Sequence, residues 1–126
     1  TLECYKDFEK YLPQALEGVE AVIFDCLTLM VTNIMMEKSM DWEGMSTDEI
    51  NNVEAEVRRQ VSNLLEQAKK ASQPFIFVTN ELGMGVVPPT VLGRAIRDIA
   101  GRANQMLAEA ADEVYLCISG LQLKIK

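Results

Sequence analysis

Two short apolar runs, each ended by an acid or an amide, constrain the fold of this chain more than any other feature. Ala21-Val22-Ile23-Phe24 stops at Asp25, and Pro74-Phe75-Ile76-Phe77-Val78 stops at Thr79-Asn80-Glu81. Both runs are too short to be helices of their own, so they read as buried strands, the first of them parallel. The segments around them are helical. Strands alternating with helices call for an α/β sheet covered on both faces.

Tyr5 to Leu16 predicts a short amphipathic helix with Phe8, Leu12 and Leu16 on one side, stopped by Gly18. Leu27 to Glu37 predicts a second helix, and Ser39 to Met45 a loop carrying Trp42 and Gly44. Ser46 and Glu49 form a capping box. Behind it Ile50, Val53, Val57, Val61, Leu64 and Ala68 recur at spacings of three and four, up to Lys69 and Lys70 at the negative end of the dipole. Asn80 to Pro89 is a glycine- and proline-bearing loop, and Thr90 to Ala111 a long helix. Val114 to Ile118 predicts a third strand, turned at Ser119-Gly120 into a last strand, Leu121 to Ile125. Three core strands fall short of the five or so that sheets usually contain. The shortfall, and a first residue that is Thr1 rather than Met, lead us to expect further strands upstream.

With 126 residues, the chain is long enough for one domain with a real core. A net charge of -7 disfavours a nucleic-acid partner recruited by surface field, but leaves room for a nucleotide bound through local amides and a metal ion. No apolar run reaches the ~18 residues of a membrane span, and charges run throughout Thr1 to Leu12, which is not a signal-peptide pattern. Cys4, Cys26 and Cys117 are widely spaced in no metal-ligand pattern, which fits reduced thiols in the cytoplasm. The absence of histidine removes every mechanism whose base, nucleophile or ligand is an imidazole of this chain.

Four apolar residues ending in Asp25 have the shape of the metal-side strand of a P-loop nucleotide hydrolase, whose acid stands where open α/β sheets bind ligands. An acid after a buried strand is also a common helix cap, so the pattern alone leaves both readings open. No glycine is followed by lysine, so the matching phosphate loop is absent from these residues. Asn80 and Glu81, followed by Gly83 and Gly85, put an amide and a carboxylate before a backbone free for close approach; a structural turn capped by Asn80 is the competing account. On the long helix, Leu92, Ile96, Ile99, Ala103, Met106, Leu107 and Ala110 fall within an arc of about 120°. Arg94, Arg97, Asp98, Gly101, Asn104 and Gln105 lie opposite. Glycine inside a helix costs about 1 kcal/mol against alanine, which predicts a close contact at Gly101. Arg94 and Arg97 are candidates to meet phosphate or a neighbouring subunit.

In order along the chain stand Phe24-Asp25-Cys26-Leu27-Thr28-Leu29 with Val31-Thr32-Asn33, then Thr79-Asn80-Glu81-Leu82-Gly83-Met84-Gly85-Val86-Val87-Pro88. Arg97-Asp98-Ile99-Ala100-Gly101-Arg102-Ala103-Asn104-Gln105, Ala111-Asp112-Glu113-Val114 and the Ser119-Gly120 turn with Lys124-Ile125-Lys126 follow. Together these resemble the adenosylcobinamide kinase / adenosylcobinamide-phosphate guanylyltransferase family of cobalamin biosynthesis, weakest between Glu37 and Ser72. The resemblance implies a RecA-like P-loop fold: a mostly parallel sheet with helices on both faces, a C-terminal antiparallel hairpin, and N-terminal strands absent from this chain. It implies a cytoplasmic homotrimer and two reactions. A nucleoside triphosphate, ATP or GTP, phosphorylates adenosylcobinamide. GTP then guanylylates a histidine, which passes GMP to adenosylcobinamide phosphate. The phosphate loop and that histidine would precede Thr1, so no catalytic nucleophile is assigned and the chain alone is expected to be inactive. Thr1-Leu2-Glu3 resembles the family's Thr-x-Glu, which makes Glu3 a nucleotide-site residue. Asp25 is the second, holding Mg²⁺ directly or through water. Asn80, Glu81, Gly83 and Gly85, then Arg94 and Arg97, are candidates for orienting nucleotide or corrinoid. Two alternatives stand beside this: a noncatalytic corrinoid-binding or oligomerising remnant, and a different P-loop kinase sharing only the strand that ends at Asp25.

Overall fold

The structure, a computed structural model, describes residues 1–38 and 41–126. The predicted loop at Ser39 to Met45 begins on residues 39 and 40, which lie outside the described residues.

The first helix, α1, spans Phe8–Ala15 and buries Phe8 and Leu12, one turn apart. It starts three residues later than expected because Asp7 sits at φ 56°, outside helical geometry. Strand β1 is Val22–Asp25. Helix α2, Leu27–Lys38, buries Leu27, Met30, Val31, Ile34 and Met35, a stripe at three- and four-residue spacing. Helix α3, Thr47–Lys70, opens with the expected capping box: the Glu49 N–H donates to Ser46 Oγ at 3.3 Å and the Ser46 N–H to Glu49 Oε2 at 2.8 Å. Strand β2 is Phe75–Val78, helix α4 is Val91–Ala110, and strands β3 and β4 are Tyr115–Ile118 and Leu121–Lys124.

Helix α3 touches α1, α2 and α4 and is the centre of the helical layer. Arg102 of α4 grips Glu54 of α3 through Nε and Nη2, at 2.5 and 2.6 Å. Strands β1 and β2 pair in parallel, Val22 opposite Phe75 through to Asp25 opposite Val78. Side chains alternate across a strand, so Phe24, Phe75 and Phe77 share the inner face. Phe24 lies 5.9 Å from Phe8 and 6.0 Å from Phe77, ring centre to ring centre, against the helical core.

Two expectations about the sheet are corrected. Helices do not cover both faces: the outer face exposes Ile23, Ile76 and Val78, at 68%, 54% and 41%. The third predicted strand does not join the parallel sheet either. Among the described residues β3 pairs with β4 and no other strand, in the C-terminal antiparallel hairpin that the resemblance implied, around Ser119 and Gly120 at φ 52° and 79°. Two consecutive positive φ angles suit the right-handed twist of a tight hairpin, and that local closure draws β3 to β4. The predicted contact at Gly101 is also absent, since a Cβ there would meet no atom within 4 Å among the described residues. The arc on α4 is turned slightly from the predicted one: Ala95 and Ala100 are buried with Ile99, Ala103 and Leu107, while Ala110 is exposed.

Candidate functional site

Because β1 and β2 run in the same direction, their ends arrive together. Asp25 stands opposite Val78, and Thr79-Asn80-Glu81 leave the sheet at the same edge. Helix α2 begins two residues after Asp25, so its N-terminus, with the positive end of its dipole, adjoins that edge. Asp25 and Asn80 are exposed, and neither side chain takes up a hydrogen bond or ion pair among the described residues. The Asp25–Cys26 peptide bond is cis.

A ring of polar groups ties the edge together. The Asn80 N–H donates to Thr28 Oγ1 at 3.1 Å, and Thr28 Oγ1 lies 3.4 Å from Thr79 Oγ1. Thr79 Oγ1 donates to Asn104 Oδ1 of α4 at 2.6 Å, and Asn104 Nδ2 donates back to the Asn80 carbonyl at 3.0 Å. Sequence reading missed Thr28 as a contact and set Asn104 on the solvated side of its helix. The available signal was weak: asparagine is a poor residue for a helix interior, and that it sits there for a contact is plain only once α4 is laid against the strand ends.

The loop that follows is anchored at three points. Glu81 accepts from the Gly83 N–H at 2.6 Å, and a Cβ on Gly83 would lie 2.8 Å from the same carboxylate oxygen. Leu82 packs on the core. Arg94 Nη1 donates to the carbonyls of Pro88 and Pro89, at 3.2 and 2.8 Å. Gly85 has open space around it, and neither Gly83 nor Gly85 takes a positive φ. Between the anchors Met84, Val86 and Val87 are exposed. The following helix is capped twice, by Thr90 Oγ1 on the Gly93 N–H at 3.1 Å and by Glu43 on the Val91 N–H at 2.9 Å.

The structure thus gathers Asp25, Asn80, Glu81 and Gly83 at one edge. It does not gather the rest. Arg94 and Arg97 lie ten and seven residues before Asn104, about 15 and 10 Å along α4. Arg94 is committed to the proline carbonyls, and Arg97 is paired with Asp98 at 2.8 Å. Glu3 makes no hydrogen bond or ion pair with Asp25, Asn80 or Glu81. Its neighbours Tyr5 and Lys6 are bound to Glu37, at the far end of α2 from that edge. The Lys6 ammonium and the Tyr5 hydroxyl hold the Glu37 carboxyl below its usual range.

Among the described residues, no group of three or more acids, cysteines or histidines could enclose a metal ion. A lone, unengaged carboxylate at a sheet edge is nevertheless the kind of donor that Mg²⁺ uses, because that ion keeps several waters and takes one or two carboxylates with substrate phosphates. Asp25 fits that pattern.

Residues 1–125 match the family described as Cobinamide kinase / cobinamide phosphate guanyltransferase. The chain belongs to this family. A cobinamide kinase / guanyltransferase relative, the bifunctional adenosylcobalamin biosynthesis protein CobU of Escherichia coli (strain K12), is 36% identical over 126 residues, all of this chain and 69% of the relative. The protein of the same name from Salmonella typhimurium (strain LT2) is also 36% identical over the same spans. The bifunctional adenosylcobalamin biosynthesis protein CobP of Pseudomonas aeruginosa (strain PAO1) is 32% identical over 110 residues, 87% of this chain and 56% of the relative. The family match takes in every residue of the strand edge, from Asp25 to Asn104. The mixed α/β architecture, with its parallel strand pair, is compatible with the P-loop-like fold expected of the cobinamide kinase / guanyltransferase family. No described helix is long and apolar enough to cross a membrane.

Proposed function

We propose that this chain is the larger, C-terminal part of a bifunctional enzyme that phosphorylates adenosylcobinamide and then transfers GMP from GTP to the phosphate, giving adenosylcobinamide-GDP. The observation that supports this most is the parallel register of β1 and β2, with Asp25 and Asn80-Glu81 at one edge beside the N-terminus of α2. In open α/β sheets that edge is where ligands bind.

In this reading the fold is RecA-like, and strands and a phosphate loop preceding Thr1 complete the crevice and supply the guanylylated histidine. The activity belongs to the complete enzyme, a cytoplasmic homotrimer, and residues 1–126 alone turn over neither substrate. Catalysis is mainly positioning and charge neutralisation around the transferring phosphorus. Asp25 holds Mg²⁺, directly or through water, beside the phosphates of ATP or GTP. Asn80 and Glu81 orient the substrates, with Gly83 keeping Glu81 in place. Glu3 contacts the guanine nucleotide once the upstream segment brings it near. Arg94 holds the loop, and Arg97 faces either phosphate or a neighbouring subunit.

The test uses full-length protein supplied with adenosylcobinamide, ATP or GTP, and Mg²⁺. We expect adenosylcobinamide phosphate, label retained on the protein from GTP, and then adenosylcobinamide-GDP. Asp25→Asn should lower kcat by about a hundredfold or more and raise the Mg²⁺ concentration for half-maximal rate. Full-length protein that neither phosphorylates cobinamide nor retains label would refute the assignment.

A further inference from the structure

The polar ring at the strand edge has only one consistent arrangement of protons. The Asn80 carbonyl can only accept, so the nitrogen of the Asn104 carboxamide must face it, as it does at 3.0 Å. The Asn104 oxygen then faces Thr79 and must accept, so the Thr79 hydroxyl donates there, at 2.6 Å. Thr79 has a single proton and it is committed. In its 3.4 Å approach to Thr28, Thr79 therefore accepts and Thr28 donates. The Thr28 oxygen in turn receives the Asn80 N–H at 3.1 Å. The circuit leaves from the Asn80 N–H and returns to the Asn80 carbonyl.

The consequence is that both peptide groups flanking Asn80 are fixed, one to α2 and the other to α4. The exposed Asn80 carboxamide meanwhile stays unengaged, with two donors and an acceptor to offer. A second consequence concerns the threonines. The Thr79 hydroxyl proton is committed to Asn104 at 2.6 Å, while Thr28, in the first turn of α2, meets Thr79 only across 3.4 Å. Thr79 is therefore not free to donate to a phosphate.

We propose that Asn104, acting through Thr79 and Thr28, is a positioning residue of the transferase: it sets the backbone of Asn80 so that the Asn80 carboxamide is presented to substrate in one direction. The proposal rests on the reading of Asn80 as substrate-facing given above.

The experiment is a double-mutant cycle in the full-length enzyme, with kcat/KM for adenosylcobinamide phosphorylation and the thermal midpoint measured on every variant. Asn104→Asp keeps an acceptor for Thr79 but removes the donor to the Asn80 carbonyl. It should lower kcat/KM about tenfold to a hundredfold, the usual cost of a misplaced group. In an Asn80→Ala background the same change should cost nothing further, because the group it positions is gone. Thr79→Val should show part of the loss and Thr79→Ser, which keeps the hydroxyl, should restore it; this pair serves if Asn104→Asp folds poorly. Losses that add in the double variant, or that merely follow the thermal midpoint, would make Asn104 a structural residue and overturn the proposal. If Asn80→Ala is impaired and Asn104→Asp is not, the ring fails while the reading of Asn80 stands. If Asn80→Ala is fully active, that reading fails and the proposal with it.

Discussion

At the scale of single residues, the most consequential side chain away from the strand edge is Gln60. It is 1% exposed and is the buried polar residue of the described core. Its Oε1 accepts the Asp7 N–H at 2.9 Å, and its Nε2 donates to Glu56 Oε1 at 3.0 Å. It thus satisfies the backbone at the residue whose positive φ delays α1. Gln60→Leu should cost about 1–3 kcal/mol in urea unfolding, because it leaves the part-buried Asp7 N–H without its partner. Glu56 is bound bidentately by Arg59, at 2.8 and 2.9 Å, and that hydrogen bonding holds its pKa down to about 2 from 4.5. A depressed carboxyl pKa means that the folded chain holds the charged form better than the unfolded chain does. The contribution is therefore complete above pH 4.5 and drains away as pH falls from there through about 2. Acid unfolding of Glu56→Gln should be shallower over that window, read by circular dichroism; an unchanged acid limb would remove Glu56 from the account. Gln60 was not legible in the sequence. A glutamine between apolar positions of a helix looks like a surface residue until a second segment, here Asp7, needs its amide.

At the scale of elements, what the sequence announced was local chemistry. The Ser46–Glu49 box, the apolar stripe of α3 and the hairpin turn each depend on residues within a few positions of one another, and each is present. Partnership across the chain was less legible. β3 carries as apolar a run as a core strand does, and only its pairing with β4 reveals that it stands outside the parallel sheet. The strand edge was legible for Asp25 and Asn80-Glu81, because polar residues that close a short apolar run stand at the end of the strand it forms. Its dependence on Thr28 and Asn104 was not, since those contacts span 52 and 24 residues. The two glycines of α4 make a clean test of this difference. At Gly101 a methyl would meet open space, so Gly101→Ala should stabilise the chain by up to about 1 kcal/mol through helix propensity. At Gly93 a Cβ would fall 2.6 Å from the Pro88 Cβ and 3.0 Å from Thr90 Oγ1. Gly93→Ala should therefore lose about 1–3 kcal/mol by overpacking despite the same propensity gain. Thermal midpoints of the two variants, measured side by side, should move in opposite directions. A loss for Gly101→Ala that appears only in the complete enzyme would mean that a neighbouring surface approaches there.

At the scale of the whole molecule, the prominent fact is how much large apolar surface faces outward. Ile23, Ile76 and Val78 stand on one sheet face, and Ile118, Leu121 and Leu123 lie on the hairpin. Contiguous patches of this kind are uncommon on proteins that remain monomeric, and a two-stranded sheet has two open edges as well. We therefore expect residues 1–126 expressed alone to bind an apolar dye such as ANS and to self-associate, as seen by analytical ultracentrifugation. A sharp, reversible thermal transition of a monomer without dye binding would contradict this. The apolar character of the sheet's outer face also accounts for why the expectation of two covered faces could arise. The strands are apolar on both sides, as fully enclosed strands are, and the helices of this chain occupy only one of those sides.

The single tryptophan, Trp42, lies in the core at 3% exposure, immediately before the Glu43 carboxylate that holds the first amide of α4. The chain therefore carries an intrinsic optical gauge in a fixed place. Its emission reports the junction where the 80–89 loop hands over to its helix. A spectral change on adding substrate would mark a change at that junction, which makes an unlabelled sample suitable for following it in real time.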